Sequence, residues 1–243
     1  MDADTCGASL SDCDSDILES LSKGEREELA RLMTRVDDDS APSARLVREL
    51  GATDTQRLLS LSVKGVDNAQ LRENLFRLYK RGDADADEIS TFTRNIETFE
   101  DTKGIDDVLE SLSSQTANPS NFKGASTELK IGSSLRRQDK NVVEFEREIQ
   151  VEGMTKTDVD IVTGSDDLIE VKGGDFSRAS KQSGSYDDLA EKMTKYDRYR
   201  RNNDLGDVEV HFTKKPHDDV IDMLDRKGAV CQVYSNGGWT RCR

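Results

Sequence analysis

The sequence predicts an α+β protein: a helical N-terminal region, then a region of short strands and helices. Three observations carry this reading. Up to about residue 112 the apolar residues recur at helical spacing, as in Leu29, Leu32, Met33 and Val36, or Leu71, Leu75, Phe76, Leu78 and Tyr79. From Val142 alternating runs take over in V-V-E-F-E-R-E-I-Q-V, T-D-V-D-I-V-T and L-I-E-V-K. The chain closes on V-E-V-H-F, the helix D-D-V-I-D-M-L-D-R-K-G and the strand A-V-C-Q-V-Y, an order that implies a parallel pair joined by a right-handed crossover.

Taken in order, residues 1–14 are polar and expected to be loose. Residues 15–112 form the acidic helical region. Ile17, Leu18 and Leu21, then Leu29 to Val36, mark one or two amphipathic segments broken at Gly24 and ended by the acid run Asp37–Asp39. Pro42 opens a short helix stopped by Gly51, and further helices carry Leu58, Leu59 and Leu61, then Leu71 to Tyr79 ending at Gly82. Two more carry Ile89, Phe92, Ile96 and Phe99, and Ile105, Val108, Leu109 and Leu112, so that their apolar stripes should pack as a bundle. Nothing in this half carries nameable chemistry, and its charged faces read as solvated surface. Ser113 to Asn121, S-S-Q-T-A-N-P-S-N, reads as a linker, and residues 122–243 as a second domain.

A chain of 243 residues can bury one large core or two small ones. Hydrophobic content is 34%, charged content 35% and net charge −14, a balance suited to a protein kept soluble in high salt, hence a halophilic expectation. The charge is uneven: residues 1–120 hold 14 Lys and Arg against 26 Asp and Glu, residues 121–243 hold 21 against 23. A polyanion would therefore dock on the second half. Cys6, Cys13, Cys231 and Cys242 lack zinc-site spacing and read as free thiols, although Cys231 and Cys242 could meet if the C-terminal tail folds back. There is no apolar signal region at the N-terminus and no membrane-length apolar run, so a cytoplasmic location and no membrane partner are expected.

The stretch with chemistry runs from Thr157 to Lys172. Both ends alternate, and Gly164, Ser165, Asp166 and Asp167 supply turn residues, so it reads as an antiparallel hairpin. Period two puts Glu170 and Lys172 on one face and Val171 on the other. If Asp160 pairs near Glu170, two carboxylates and an ammonium meet on one patch, a set suited to a hard divalent ion. The plain alternative is a hairpin with a cross-strand ion pair.

An Asp in a short strand, a turn and then hydrophobic-hydrophobic-E-V-K-x-G resembles the PD-(D/E)xK nuclease superfamily, with its restriction-endonuclease-like fold. D-I-V-T, I-E-V-K-G-G and the later helix are most similar to restriction-endonuclease-fold toxin domains of polymorphic toxins. The resemblance covers about the last half of the chain. It implies an α/β domain with a mixed central sheet flanked by helices, and a magnesium (or manganese) cofactor held by Glu128, Asp160 and Glu170 with the backbone carbonyl of Val171. Lys172 would position the attacking water.

Glu128 matches the helical glutamate that precedes the strands in the family; Ala125 and Gly132 share its face, letting the helix sit close to a sheet. Asp158, on the face of Asp160, is a reserve ligand. Lys181, Gln182 and Lys192 match the Lys or Gln that contacts phosphate after the E-x-K strand, whereas Arg198, Arg200 and Arg201 are better read as bases suiting a helix C-terminus. Glu144, Glu146 and Glu148 fall on one face of the first strand, opposite Val143, Phe145, Arg147 and Ile149, and read as solvent-facing. His211 and His217 are not expected to be catalytic.

The function so implied is a metal-dependent endonuclease acting on DNA or RNA, a toxin-type effector delivered to other cells and paired with an immunity protein. A repair or Holliday-junction-type endonuclease is one alternative. A catalytically inert binding or scaffold protein, whose helical half does the work, is the other.

Overall fold

The computed structural model describes residues 15–36, 41–115, 117–235 and 238–243. Cys6, Cys13, the acid run Asp37–Asp39 and the N-terminal stretch expected to be loose lie outside them. The fold class is α+β, with helices first and a six-stranded mixed sheet after them. The chain forms two compact units. One holds the residues up to Asp101 together with Leu109–Phe122; the other holds Thr102–Val108 and Lys123–Arg243.

The first unit contains α1 (Ser15–Ser20), α2 (Lys23–Val36), α3 (Ala41–Ser60), α4 (Asn68–Arg81) and α5 (Ala86–Phe99). The break expected at Gly24 falls two residues earlier. Ser22 accepts from the Glu25 N–H at 3.3 Å while Glu25 reaches back to the Ser22 N–H at 2.7 Å. This reciprocal cap starts α2 at Lys23 and leaves Gly24 in its first turn. Gly51 does interrupt its helix, at φ 69° and ψ −179°, but α3 resumes at once. Gly82 closes α4 in the left-handed conformation, as its position after the apolar stripe implies. Leu29, Leu46, Leu58, Leu71, Leu75, Phe92 and Phe99 are wholly buried, so the stripes form one core.

Further along the chain lie α6 (Ile105–Glu110) and α7 (Pro119–Arg137), which takes up the last three residues of the expected linker. In the second unit the sheet runs β1 (Val142–Ile149), β2 (Thr157–Thr163), β3 (Leu168–Lys172), β4 (Val208–Phe212), β5 (Val230–Ser235) and β6 (Gly238–Arg241), in that spatial order. β1 is antiparallel to β2 and β2 to β3, whereas β3, β4 and β5 are parallel. The parallel pairs are joined through α8 (Gly184–Asn203) and α9 (Asp218–Lys227). Val162, Leu168, Val208, Val210 and Phe212 pack with Leu189, Met193 and Tyr196 of α8 and Val220, Ile221 and Leu224 of α9 into one core. α7 meets the sheet through Thr127, beside Gly173, and through Ser134, which accepts from the Trp239 indole N–H at 2.8 Å. Among the described residues no helix is long and apolar enough to cross a membrane.

β6, which the sequence reading did not anticipate, folds back antiparallel on β5 and brings Cys242 to Cys231. The two form a disulfide with Cα atoms 5.4 Å apart, so the reading of four free thiols is corrected for this pair. A bridge closing a loop of 11 residues should stabilise the fold by about 3 kcal/mol through the unfolded chain. Denaturant unfolding with and without reductant checks this: C231S/C242S should show the lower stability in both conditions and wild type only when reduced.

Candidate active site at the β2–β3 hairpin

Ile161 pairs with Ile169 and Val162 with Leu168. Continued by one residue, that register sets Asp160 across from Glu170. The hairpin closes as its residues suggest: Asp166 takes the left-handed conformation at φ 59°, and the Asp167 N–H donates to Thr163 Oγ1 at 3.1 Å. Glu170 is wholly buried and Asp160 nearly so. The Val171 N–H donates to Asp160 Oδ2 at 2.5 Å, fixing the carboxylate across the two strands. Lys172, one pleat from Glu170 on the same face, pairs with Glu170 Oε1.

α8 supplies the other half of the arrangement. Lys192 Nζ lies 2.7 Å from Glu170 Oε2 and 3.3 Å from Asp160 Oδ1. One helical turn on, the Tyr196 hydroxyl is 2.6 Å from both Glu170 Oε2 and the Asp158 carbonyl oxygen. From α7, the Glu128 carboxyl hydrogen-bonds the Glu146 side chain and feels the charges of Asp160 and Glu170, while its Oε2 is buried with no hydrogen-bond partner. Glu128, Asp160, Glu170, Lys172 and Lys192 are therefore brought together.

Other expected residues are not. Lys181 and Gln182 are exposed in the loop before α8, where Lys181 pairs with Asp219 at 3.8 Å. The Asp158 side chain is exposed, and its contribution is the carbonyl facing Tyr196. Val171 takes part through the N–H just described.

Two participants were missed. Glu146, expected to face solvent, meets Glu128. It has φ 46°, where an L-residue seldom sits, while the β1–β2 register runs unshifted from Glu144 to Ile149 and, continued through Glu146, sets it across from Asp160. Glu144, expected on the same face, instead pairs with Arg147 at 2.6 Å and with Lys103 at 2.5 Å. The backbone of Lys103 lies along β1 here, accepting the Phe145 N–H at 2.9 Å. Tyr196, expected only in the core, lies four residues after Lys192, a spacing that places it in the same site.

The electrostatics follow from crowding acids in a dry place. Burial, then the charges of Asp160 and Glu146, pushes Glu128 up to about 9. Burial, then Glu170, pushes Asp160 up to about 7 against the pull of Lys192 and Lys172. Glu146 is raised, chiefly by burial, and Tyr196 is held well above the usual phenol value by burial and the carboxylates beneath it. Burial would lower Lys192, but Asp160 and Glu170 outweigh it and raise the ammonium.

Carboxylate oxygens, one of them buried without a partner, are donors of the kind that hard divalent ions take. Among the described residues no three or more His, Cys, Asp or Glu side chains stand arranged to hold an ion, and the cation that Asp160 and Glu170 share is the Lys192 ammonium.

Two outcomes are expected. Glu128 keeps its proton to about 9 when folded but releases it near 4.5 when unfolded, so its contribution destabilises the fold progressively as pH rises through that window. Glu128→Gln should remove the penalty, and its stability advantage over wild type, measured by urea unfolding, should grow from pH 4.5 to 9 and then level. Second, a Cβ at Gly173 would lie 2.9 Å from Thr127 Oγ1, one residue from Glu128. Gly173→Ala should cost about 1–3 kcal/mol, and Thr127→Ala in the same chain should recover part of it in a double-mutant cycle.

No family model matches the chain, and comparison with curated proteins and with solved structures likewise found no match.

Proposed function

We propose that the second unit is a metal-dependent nuclease that hydrolyses phosphodiester bonds in DNA or RNA. The observation that supports it is the convergence of the Glu128, Glu146, Asp160 and Glu170 carboxyls with the Lys172 and Lys192 amines at one hairpin. The sequence resemblance to PD-(D/E)xK nucleases points to the same residues, and the order of α7, three antiparallel strands, α8 and a parallel strand fits the architecture that it implies.

Glu128, Asp160 and Glu170 would hold magnesium or manganese, and Glu146 is hydrogen-bonded to the first of them. When bound, the ion would polarise a phosphoryl oxygen and lower the pKa of a water. The chain's own groups do the rest. Val171 orients Asp160 through its N–H, and Tyr196 holds Glu170 by its hydroxyl. Lys172, a quarter exposed beside buried Glu170, presents an ammonium that can steer the attacking water and offset charge building on the phosphoryl oxygens.

The Cys231–Cys242 disulfide favours a toxin-type effector that passes through an oxidising environment over a cytoplasmic repair nuclease, since such bridges persist where thiols are not kept reduced. An immunity protein would then be its partner in the producing cell.

Purified full-length protein with magnesium should nick plasmid DNA or cleave RNA, and chelation should stop it. Asp160→Ala and Lys172→Ala should each lower the rate by at least about 100-fold, the range set by losing one group that acts in the transition state, with circular dichroism unchanged. Full activity in both folded variants would refute the assignment.

A further inference from the structure

The Lys192 ammonium stands between the two carboxylates on which the proposed function most depends. Around it, the other oxygens are already committed. Glu170 Oε1 is taken by Lys172, and Asp160 Oδ2 by the Val171 N–H. Lys192 spans the remaining pair, Asp160 Oδ1 and Glu170 Oε2, at 3.3 and 2.7 Å, and Oε2 also accepts the Tyr196 hydroxyl at 2.6 Å. A divalent ion drawing on both carboxylates through these oxygens has to take them from the ammonium.

Three features make that exchange feasible. The lysine stem is flexible, so the ammonium can swing without moving α8. Its side chain is about a quarter exposed, unlike buried Glu170, so a route to solvent exists. And Tyr196, whose ring lies 5.7 Å below the ammonium, can keep its hydroxyl on Glu170 while the lysine leaves. A displaced ammonium keeps its charge but loses both anions. At the mouth of a phosphodiesterase site, the anion at hand is a phosphate of the nucleic acid.

From this geometry we infer that Lys192 is an exchangeable counter-ion: it bridges Asp160 and Glu170 until a divalent ion displaces it, and then pairs with a substrate phosphate. Ion and nucleic acid thereby load cooperatively. The inference rests on the metal-dependent reading above and adds a coupling that the reading does not require. The coupling is reciprocal: if the ion frees Lys192 for a phosphate, the phosphate must tighten the ion by the same factor.

Calorimetric titration of the full chain with calcium, alone and with a hydrolysis-resistant oligonucleotide, tests it. Lys192→Met, which removes the competing charge, should bind calcium at least about threefold tighter than wild type without oligonucleotide, a difference of about 0.7 kcal/mol. The oligonucleotide should tighten calcium binding in wild type and do so markedly less in Lys192→Met. Lys192→Gln, which keeps a hydrogen-bonding group without the charge, should behave like Lys192→Met and serves if the methionine variant is misfolded. Equal or weaker calcium binding by a folded neutral variant, or equal tightening by oligonucleotide in both proteins, overturns the inference and leaves the nuclease reading standing. If wild type binds no calcium, magnesium or manganese, both fall.

Discussion

The second unit is organised around a balance of buried charge. Like charges about 4 Å apart repel by about 4 kcal/mol even at an effective dielectric near 20, so four carboxyls cannot all ionise here unaided. The structure answers in two ways. Glu128 and Asp160 are pushed towards the neutral form, the first sharing a hydrogen bond with Glu146. Glu170, the most deeply buried, accepts two ammoniums and a phenol hydroxyl. Even so, Glu128 Oε2 is left buried without a partner. Such an arrangement is costly for stability alone, where apolar residues of similar volume would do as well or better.

That balance holds only because the backbone fixes each group. The tight hairpin sets Asp160 across from Glu170, the i to i+4 spacing of α8 stacks Lys192 over Tyr196, and the bare Gly173 lets Thr127, and with it Glu128, approach the end of β3. Gly173 follows directly on Lys172, so the close approach of α7 and the amine beside Glu170 are set by adjacent residues. Glu146, at a positive φ, adds a fourth acid beside Glu128.

These same causes explain what could be read in advance. Regular periods are legible: the hairpin from Thr157 to Lys172, the helical stripes of the first unit and the parallel β4–β5 pair all follow from spacing and turn residues. Glu128 was legible through its helix face and the family resemblance. Exceptions to a period are not. Nothing in V-V-E-F-E-R-E-I announces that Glu146 adopts a positive φ or that Lys103 lies along β1. The four residues of β6 carry no alternation of burial, and without that strand Cys242 has no reason to meet Cys231.

A second buried charged group in the same sheet gives the comparison that separates structure from chemistry. Glu209 of β4 receives Lys140 Nζ at 2.6 Å and His211 Nε2 at 2.7 Å. Burial alone would raise its pKa, but the hydrogen bonds from His211 and Lys140 outweigh burial and hold it at about 2. There Glu209 meets Lys140 and His211 and is settled as an anion, Lys140 also reaches Asp167 at 3.6 Å, and His211 is further enclosed by Trp239 at 4.8 Å. At the hairpin the acids outnumber the bases: four acids meet two amines, and two of the acids are driven up to about 7 and 9. In the first the carboxylate is settled by the groups around it, although His211 Nδ1 is buried without a hydrogen-bond partner. In the second the acids outnumber the amines and burial holds two of them towards the neutral form, so added positive charge would favour their ionised forms.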